Sequence, residues 1–226
     1  MKEHIYTIPV NEAFDDESGK CPFCLLYEKL QEDELTLILG ASMMEPDVRI
    51  QTNEKGFCPE HFGMLVTRKN RLGLGLILES HLEELKKDVK LGGMLSRDKT
   101  ASPRKKIGEL EKSCYICDRI ENNFAAMIST AAILYEREEA FRKKFAAKKS
   151  LCLPHYRRVL EETNHMHKPY NADMAKDAAV IVENYLNKLK DDVSWFCKKF
   201  DYLYDNEPWY DSKDAIERAI AFLTSK

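Results

Sequence analysis

The sequence is poor in glycine and proline, with nine Gly and eight Pro in 226 residues. All-β proteins need many tight turns built from these two residues, so their scarcity argues against that fold class. No apolar run approaches the roughly 18 residues that predict a membrane span, and residues 1–20 lack the apolar core of a secretory signal. We therefore expect a cytoplasmic protein with no membrane segment.

Strong net charge and catalytic motifs are also missing. The net charge is −3, so no overall positive field attracts nucleic acid or anionic lipid. No nucleophile elbow, HExxH, P-loop or dinucleotide fingerprint occurs, and we assign no catalytic or cofactor-binding residue. The hydrophobic fraction of 44% is typical of a soluble protein with a real core. Enzymatic activity is left open and is not favoured.

Cysteine is the informative residue, because six of the seven cysteines fall into a doubled pattern. A CxxC motif at Cys21–Cys24 is followed by a CxxH motif at Cys58–His61. The same order recurs at Cys114–Cys117 and Cys152–His155. Cytoplasmic thiols are normally kept reduced, so this pattern points to metal or redox chemistry rather than to structural disulfides.

Two Cys3His ligand sets predict two tetrahedral zinc sites, each closed and structural. Pairing each CxxC with the CxxH that follows it gives a first site and a second site. The first is Cys21, Cys24, Cys58 and His61; the second is Cys114, Cys117, Cys152 and His155. We expect two Zn²⁺ per chain, with an iron–sulfur cluster as the chemical alternative.

The repeated motifs and a repeated helix pattern indicate an internal duplication. The predicted fold is all-α: two pseudo-repeats of helical hairpins, each clasped by a Cys3His zinc site, plus a C-terminal helix. The predicted organisation is an irregular N-terminal arm (1–20), a first repeat (21–90), a linker (91–110), a second repeat (111–200) and a tail with a helix (201–226). A polar insertion at 164–172 separates the second CxxH motif from its long helix.

Helical spacing predicts the faces that each long helix buries. The first seam is Leu78, Leu82, Leu85 and Val89, and the second is Val182, Leu186, Leu189, Val193, Phe196 and Phe200. In the C-terminal helix, with Asp211 as its cap, the docking stripe is Ile216, Ala219, Ile220 and Leu223. The aromatic residues Tyr202, Tyr204, Trp209 and Tyr210 are expected to staple the tail to the body.

The remaining candidate residues receive plainer interpretations. We expect Cys197 to be a buried or half-buried free thiol and His81 a hydrogen-bonded histidine at the edge of the core. His165 and His167 are expected to be exposed loop residues. Basic residues of the linker, including Arg97 and Arg104, could contact phosphate, although such charge runs usually face solvent.

The chain resembles a family of uncharacterised bacterial proteins with tandem CxxC and CxxH motifs, classified as a domain of unknown function. The resemblance rests on the four metal motifs, on Pro46–Arg49, and on a C-terminal stretch. That stretch comprises Trp195-Phe196, Lys199–Tyr202, Glu207–Trp209 and Ser212–Ala215. The resemblance implies no activity.

Three functional hypotheses follow from the sequence. The favoured one is a zinc-stabilised scaffold that binds a protein partner or itself. The second is an enzyme or redox sensor that uses labile zinc thiolates, or a pocket near the aromatic and acidic tail. The third is nucleic-acid binding through the basic linker.

Overall fold

The structure is a computed structural model that describes residues 2–91 and 98–225, with side chains from residue 5 onward. Within these residues the fold consists of helices and contains no strand, so the all-α prediction is confirmed. The helices are α1 Lys2–Asp15, α2 Pro22–Leu39, α3 Pro46–Lys55, α4 Pro59–Thr67, α5 Arg71–Asp88, α6 Ala101–Leu110, α7 Tyr115–Arg137, α8 Glu139–Ala146, α9 Leu153–Thr163, α10 Tyr170–Lys198 and α11 Ala215–Thr224. None of these helices has the length and apolar character required to cross a bilayer.

Two segments outside the predicted repeats contain helices. Lys2–Asp15 forms α1 rather than an irregular arm, and Val10, Ala13 and Phe14 are buried. The second half of the predicted linker forms α6, whose Pro103 is buried in its first turn. Residues 92–97, including Arg97, lie outside the described residues.

The chain divides into two compact units that do not coincide with the predicted repeats. We call residues 29–123 the central unit, and residues 1–28 together with 124–226 the terminal unit. The boundaries fall within α2 and α7, so no linker separates the units. The internal duplication itself stays a prediction.

An aromatic core fills the terminal unit. The ring of Phe14 in α1 lies 4.9 Å from that of Phe141 and 5.6 Å from that of Phe145, both in α8. Phe14 also meets Phe23 edge to face at 5.5 Å. Since burying one large apolar side chain contributes about 1.5–3 kcal/mol, this cluster explains why the N-terminal segment is a docked helix.

In the central unit, α5 packs on α3 through a different face from the one predicted. Leu74, Ile77 and His81 are buried, whereas Leu82 and Val89 of the predicted seam are 57% and 53% exposed. His81 Nδ1 bonds to the carbonyl oxygen of Asn53 at 2.9 Å, which turns the helix so that its buried face carries a polar residue. A seam read from leucines alone missed this histidine.

The predicted faces of α10 and α11 are partly wrong in the same way. Val182 and Leu189 of α10 are buried as predicted, but Leu186 is 47% exposed and Phe200, beyond the helix end, is 75% exposed.

The C-terminal helix docks through Ala215 and Phe222, and Ile220 is 54% exposed. Its N-cap is Asp214, not Asp211. The ion pair of Arg218 with Asp192 of α10, at 3.0 Å, places the Arg218 side of α11 against α10. The predicted stripe therefore faces outward.

The aromatic tail is held against the end of α10 through Tyr204, Trp209 and Tyr210, as predicted, whereas Tyr202 is 80% exposed. Trp195 Nε1 donates to the carbonyl of Pro208 at 3.0 Å, and Phe196 lies 5.9 Å from Trp209. The ammonium of Lys199, a buried residue, donates to the carbonyls of Tyr204, Asp205 and Glu207 at 2.5, 3.1 and 2.7 Å. Three backbone acceptors satisfy its three protons, so the tail loop has a defined conformation.

Candidate metal centres

Each of the four cysteine motifs lies at the N-terminus of a helix. Cys58 and Cys152 are the N-caps of α4 and α9, with nearly equal backbone angles. Cys21 and Cys114 directly precede α2 and α7. Because residues i and i+3 of a first helical turn lie on one face, each motif presents two ligand atoms to a common point. The positive end of each helix favours thiolate there.

The terminal cluster gathers Cys21, Cys24, Cys152 and His155. His155 Nδ1 lies 3.6 Å from Cys21 Sγ, 3.4 Å from Cys24 Sγ and 3.1 Å from Cys152 Sγ. The sulfurs of Cys24 and Cys152 are 3.6 Å apart. All four residues belong to the terminal unit.

The central cluster gathers Cys58, His61, Cys114 and Cys117. His61 Nδ1 lies 3.3 Å from Cys58 Sγ, 3.4 Å from Cys114 Sγ and 3.3 Å from Cys117 Sγ. The sulfurs of Cys58 and Cys117 are 3.9 Å apart. All four residues belong to the central unit.

The eight predicted ligand residues therefore form two Cys3His clusters, but the predicted pairing is wrong. The prediction joined each CxxC to the CxxH that follows it. Instead, Cys21–Cys24 lies with Cys152–His155, and Cys58–His61 lies with Cys114–Cys117. The first CxxC motif thus lies with the last CxxH motif of the chain, and the two inner motifs lie together.

Backbone contacts beside the clusters explain this pairing. In the terminal unit, Ser150 Oγ donates to the carbonyl of Gly19 at 2.7 Å. In the central unit, Ser113 Oγ donates to the carbonyl of Lys55 at 2.7 Å, and the amide of Tyr115 donates to the carbonyl of Gly56 at 3.0 Å. Each cluster therefore joins one segment with a glycine before the cysteine to one with a serine there.

The glycine or serine that precedes each motif is a signal in the sequence, and a pairing based on motif spacing leaves it out. Gly19 and Gly56 both have positive φ, at +81° and +56°, which suits glycine. They precede Cys21 and Cys58, whereas Ser113 and Ser150 precede the other two motifs. The predicted pairing would place both glycine segments in one site and both serine segments in the other.

The ligand distances fit a single tetrahedral ion. With Zn–S of about 2.3 Å and Zn–N of about 2.0–2.1 Å, a tetrahedron requires about 3.8 Å between sulfurs and about 3.5 Å between sulfur and nitrogen. The S···S separations of 3.6 and 3.9 Å and the S···N range of 3.1–3.6 Å lie close to these values. Both clusters can hold a metal ion, and four protein ligands would fill its coordination.

The raised pKa values of the clustered thiols also favour a bound cation. Hydrogen bonds with Cys152 and Cys21, followed by burial, raise the pKa of Cys24 far above its ordinary value. Burial, followed by the neighbouring Cys114, raises the pKa of Cys117. Three thiols packed together cannot all ionise by themselves, and a dication among the sulfurs removes this penalty because a coordinating thiol is deprotonated.

The outer contacts of the two histidines differ. The side-chain amide nitrogen of Gln31 lies 3.2 Å from Nε2 of His61. A metal on Nδ1 leaves Nε2 as an N–H donor, so Gln31 must then turn its oxygen toward this ring. The His155 ring instead packs against Phe124 and Phe23, at 5.1 and 6.1 Å.

The other candidate residues lie outside both clusters. His81 is a hydrogen-bonded histidine at the core edge, and His165 and His167 are exposed, as predicted. Cys197 is exposed, so the prediction of a buried or half-buried thiol is wrong. It follows Phe196 near the end of α10.

Comparison with known proteins places the whole chain in one family. The model of a family of unknown function, DUF6062, matches residues 1–226. No curated protein and no solved structure matches the sequence. The chain therefore belongs to the DUF6062 family, whose function is unknown.

Proposed function

We propose that the protein is a helical module stabilised by two structural zinc ions, one in each cluster, and that it acts by binding another protein or a second copy of itself. The observation that carries the zinc assignment is the pair of Cys3His clusters with near-tetrahedral ligand distances. Tetrahedral sites of mixed sulfur and nitrogen ligands favour Zn²⁺. Because four protein ligands leave no position open for water, the ions have a structural role rather than a catalytic one.

Zinc is favoured over an iron–sulfur cluster by the size of each site. All ligand atoms of a cluster lie within 4.8 Å of one another, which suits one central ion better than several iron and sulfide atoms. All seven cysteines are free thiols, which is consistent with a reducing compartment such as the cytoplasm.

Protein binding is supported by exposed apolar side chains on α11. Ile216, Ile220 and Leu223 follow one another at helical spacing and are 36%, 54% and 58% exposed. Contiguous apolar surface on a soluble protein commonly marks an interaction site.

Nucleic acid binding has less support, because two of the described linker cations already pair with acidic residues. Arg104 pairs with Asp98 at 3.4 Å, and Lys105 pairs with Glu109 at 3.7 Å.

Metal analysis of the purified protein tests the zinc assignment. We expect about two zinc ions per chain, no iron and no visible absorbance, as both clusters are complete. A brown protein, or one with no bound metal, would contradict the assignment.

The Ile220→Glu variant tests the interaction surface. Because Ile220 is exposed, we expect the melting temperature and zinc content to stay unchanged, while self-association or partner binding is lost. Sedimentation over a range of concentrations reports self-association, and crosslinking reports a partner. Ile5→Glu, at a 70% exposed position on α1, is the matched control. Equal association of both variants and the parent would show that this surface has no such role.

A further inference from the structure

A cavity of about 510 Å³ in the terminal unit opens onto the terminal cluster. Cys21, Cys24 and Cys152 line the cavity together with residues of α10 and α11. The cavity lies within the size range of small-molecule sites, which is about 300–1,000 Å³. A closed structural zinc site does not require such an opening beside its sulfurs.

Cys24 is the most exposed of the three cysteines in this cluster. Cys21, Cys152 and His155 are buried, whereas Cys24 is half-buried and lines the cavity. The Cys152 thiol accepts a hydrogen bond from the backbone of His155, and such a bond reduces the nucleophilicity of a thiolate. Cys24 Sγ instead has the side chains of Cys152, Cys21 and His155 as hydrogen-bond partners.

Two aromatic residues of α10 and α11 give the cavity an apolar surface. Tyr185 of α10 and Phe222 of α11 both line the cavity, and their rings lie 5.5 Å apart. The charged residues of the wall are largely paired, with Lys20 on Glu28 at 3.4 Å and Arg218 on Asp214 at 2.9 Å. A neutral molecule with an apolar group therefore suits this cavity better than an ion does.

We propose that Cys24 is an oxidation site for organic hydroperoxides, with Cys152 as the second cysteine of the reaction. This inference rests on the proposed zinc at the terminal cluster, because coordination keeps both sulfurs as thiolates. The apolar group of the hydroperoxide would lie beside Tyr185 and Phe222, with its peroxide group toward Cys24.

The reaction balances in two steps. The Cys24 thiolate attacks the terminal peroxide oxygen; the S–O bond forms, the O–O bond breaks, and the leaving alkoxide takes a proton from water to become the alcohol. The Cys152 thiolate, 3.6 Å away, then attacks the sulfur of the sulfenic acid; the S–S bond forms and hydroxide leaves. Two thiolates lose two electrons in total, and the hydroperoxide gains them.

The product would convert the terminal cluster from a metal site into a covalent crosslink. A Cys24–Cys152 disulfide leaves Cys21 and His155 as the two remaining ligands, which is too few to retain a structural zinc. The N-termini of α2 and α9 would stay joined by the disulfide. The terminal unit would thus respond to hydroperoxide by releasing its ion.

Oxidation of the zinc-loaded protein tests the proposal. The background is Cys197→Ser, since Cys197 is exposed and would react separately. Cumene hydroperoxide is the probe, zinc release is followed with a chromogenic chelator, and disulfides are mapped by mass spectrometry. We expect a first phase that releases one zinc per chain and forms the Cys24–Cys152 disulfide.

Two substitutions in α11 separate reaction through the cavity from general oxidation. Ala221 lines the cavity, so Ala221→Trp should slow the first phase several-fold without changing zinc content. Thr224→Trp, at an exposed position of the same helix outside the cavity lining, is the matched control and should react like the background protein.

Equal rates for these two variants would overturn the proposal, as would a first disulfide between Cys58 and Cys117. Metal analysis precedes the oxidation, so a protein without zinc at the start would overturn the proposed function and would be recognised as such.

Discussion

The Cys152→Ala variant is expected to retain one zinc ion per chain and to lose the folded structure of the terminal unit. Cys152 supplies one sulfur of the terminal cluster and is buried, so alanine leaves three ligands and an incomplete site. Structural zinc contributes about 10–16 kcal/mol in finger peptides, which is comparable to the total stability of about 5–15 kcal/mol of an ordinary domain. The central cluster keeps all four of its ligands.

Zinc content and circular dichroism during heating measure this effect. Cys197→Ser changes an exposed cysteine outside both clusters. Its free energy of unfolding should therefore lie within about 0.5 kcal/mol of that of the parent. If Cys152→Ala melted like the parent, the structural role of the terminal ion would be wrong.

The Gly56→Ala variant is expected to destabilise the central unit by about 2–4 kcal/mol, through backbone strain and a steric clash together. Gly56 has φ +56° and ψ −154°, a region that is essentially restricted to glycine. A Cβ there would lie 3.1 Å from His81 Nε2 and 3.2 Å from Leu110 Cδ1. Because the Gly56 carbonyl accepts the amide hydrogen bond of Tyr115, the strain would reach the start of α7 and the adjacent Cys114.

Gly63→Ala provides the control for this substitution. Gly63 lies in α4, two residues after the ligand His61, and a Cβ there meets nothing within 4 Å. Alanine is favoured over glycine in a helix by about 1 kcal/mol, so this variant should be as stable as the parent or more stable. Denaturant unfolding of both variants measures the difference. Equal free energies of unfolding for Gly56→Ala and Gly63→Ala would show that the glycine conformation at position 56 is not required.

The sequence was a good guide wherever local chemistry decides the structure. Ligands at i and i+3 in each motif, with proline directly after the cysteine in two of them, suit helix N-termini, and α2, α4, α7 and α9 begin there. The apolar residues of α7, including Ile120, Phe124 and Ala131, are buried, because this helix has one dense apolar stripe.

Pairing of the motifs could not be read from spacing. Two CxxC and two CxxH motifs at similar separations are chemically equivalent, so nearness in sequence was the only criterion that the prediction used. Loop-closure entropy rises slowly with loop length, so a long loop costs little more than a short one. The contact between Ser150 and Gly19 accompanies the observed pairing.

The helix faces were mispredicted where polar residues are buried or apolar residues exposed. His81 is buried because Asn53 provides a hydrogen-bond acceptor, and the predicted Leu82 consequently faces outward. In α11, Arg218 is directed toward Asp192 of α10, and Ile220 is left exposed. Tertiary ion pairs and hydrogen bonds of this kind leave no periodic pattern in the sequence.

Zinc counting on two double variants tests the crossed pairing most directly. Cys21→Ala/Cys152→Ala removes two ligands from the terminal cluster alone, so we expect it to keep about one zinc per chain, held by the complete central cluster. Cys21→Ala/Cys58→Ala removes one ligand from each cluster, so we expect it to keep no tightly bound zinc. The reverse result, with zinc lost from the first variant and about one ion retained by the second, would contradict the crossed clusters.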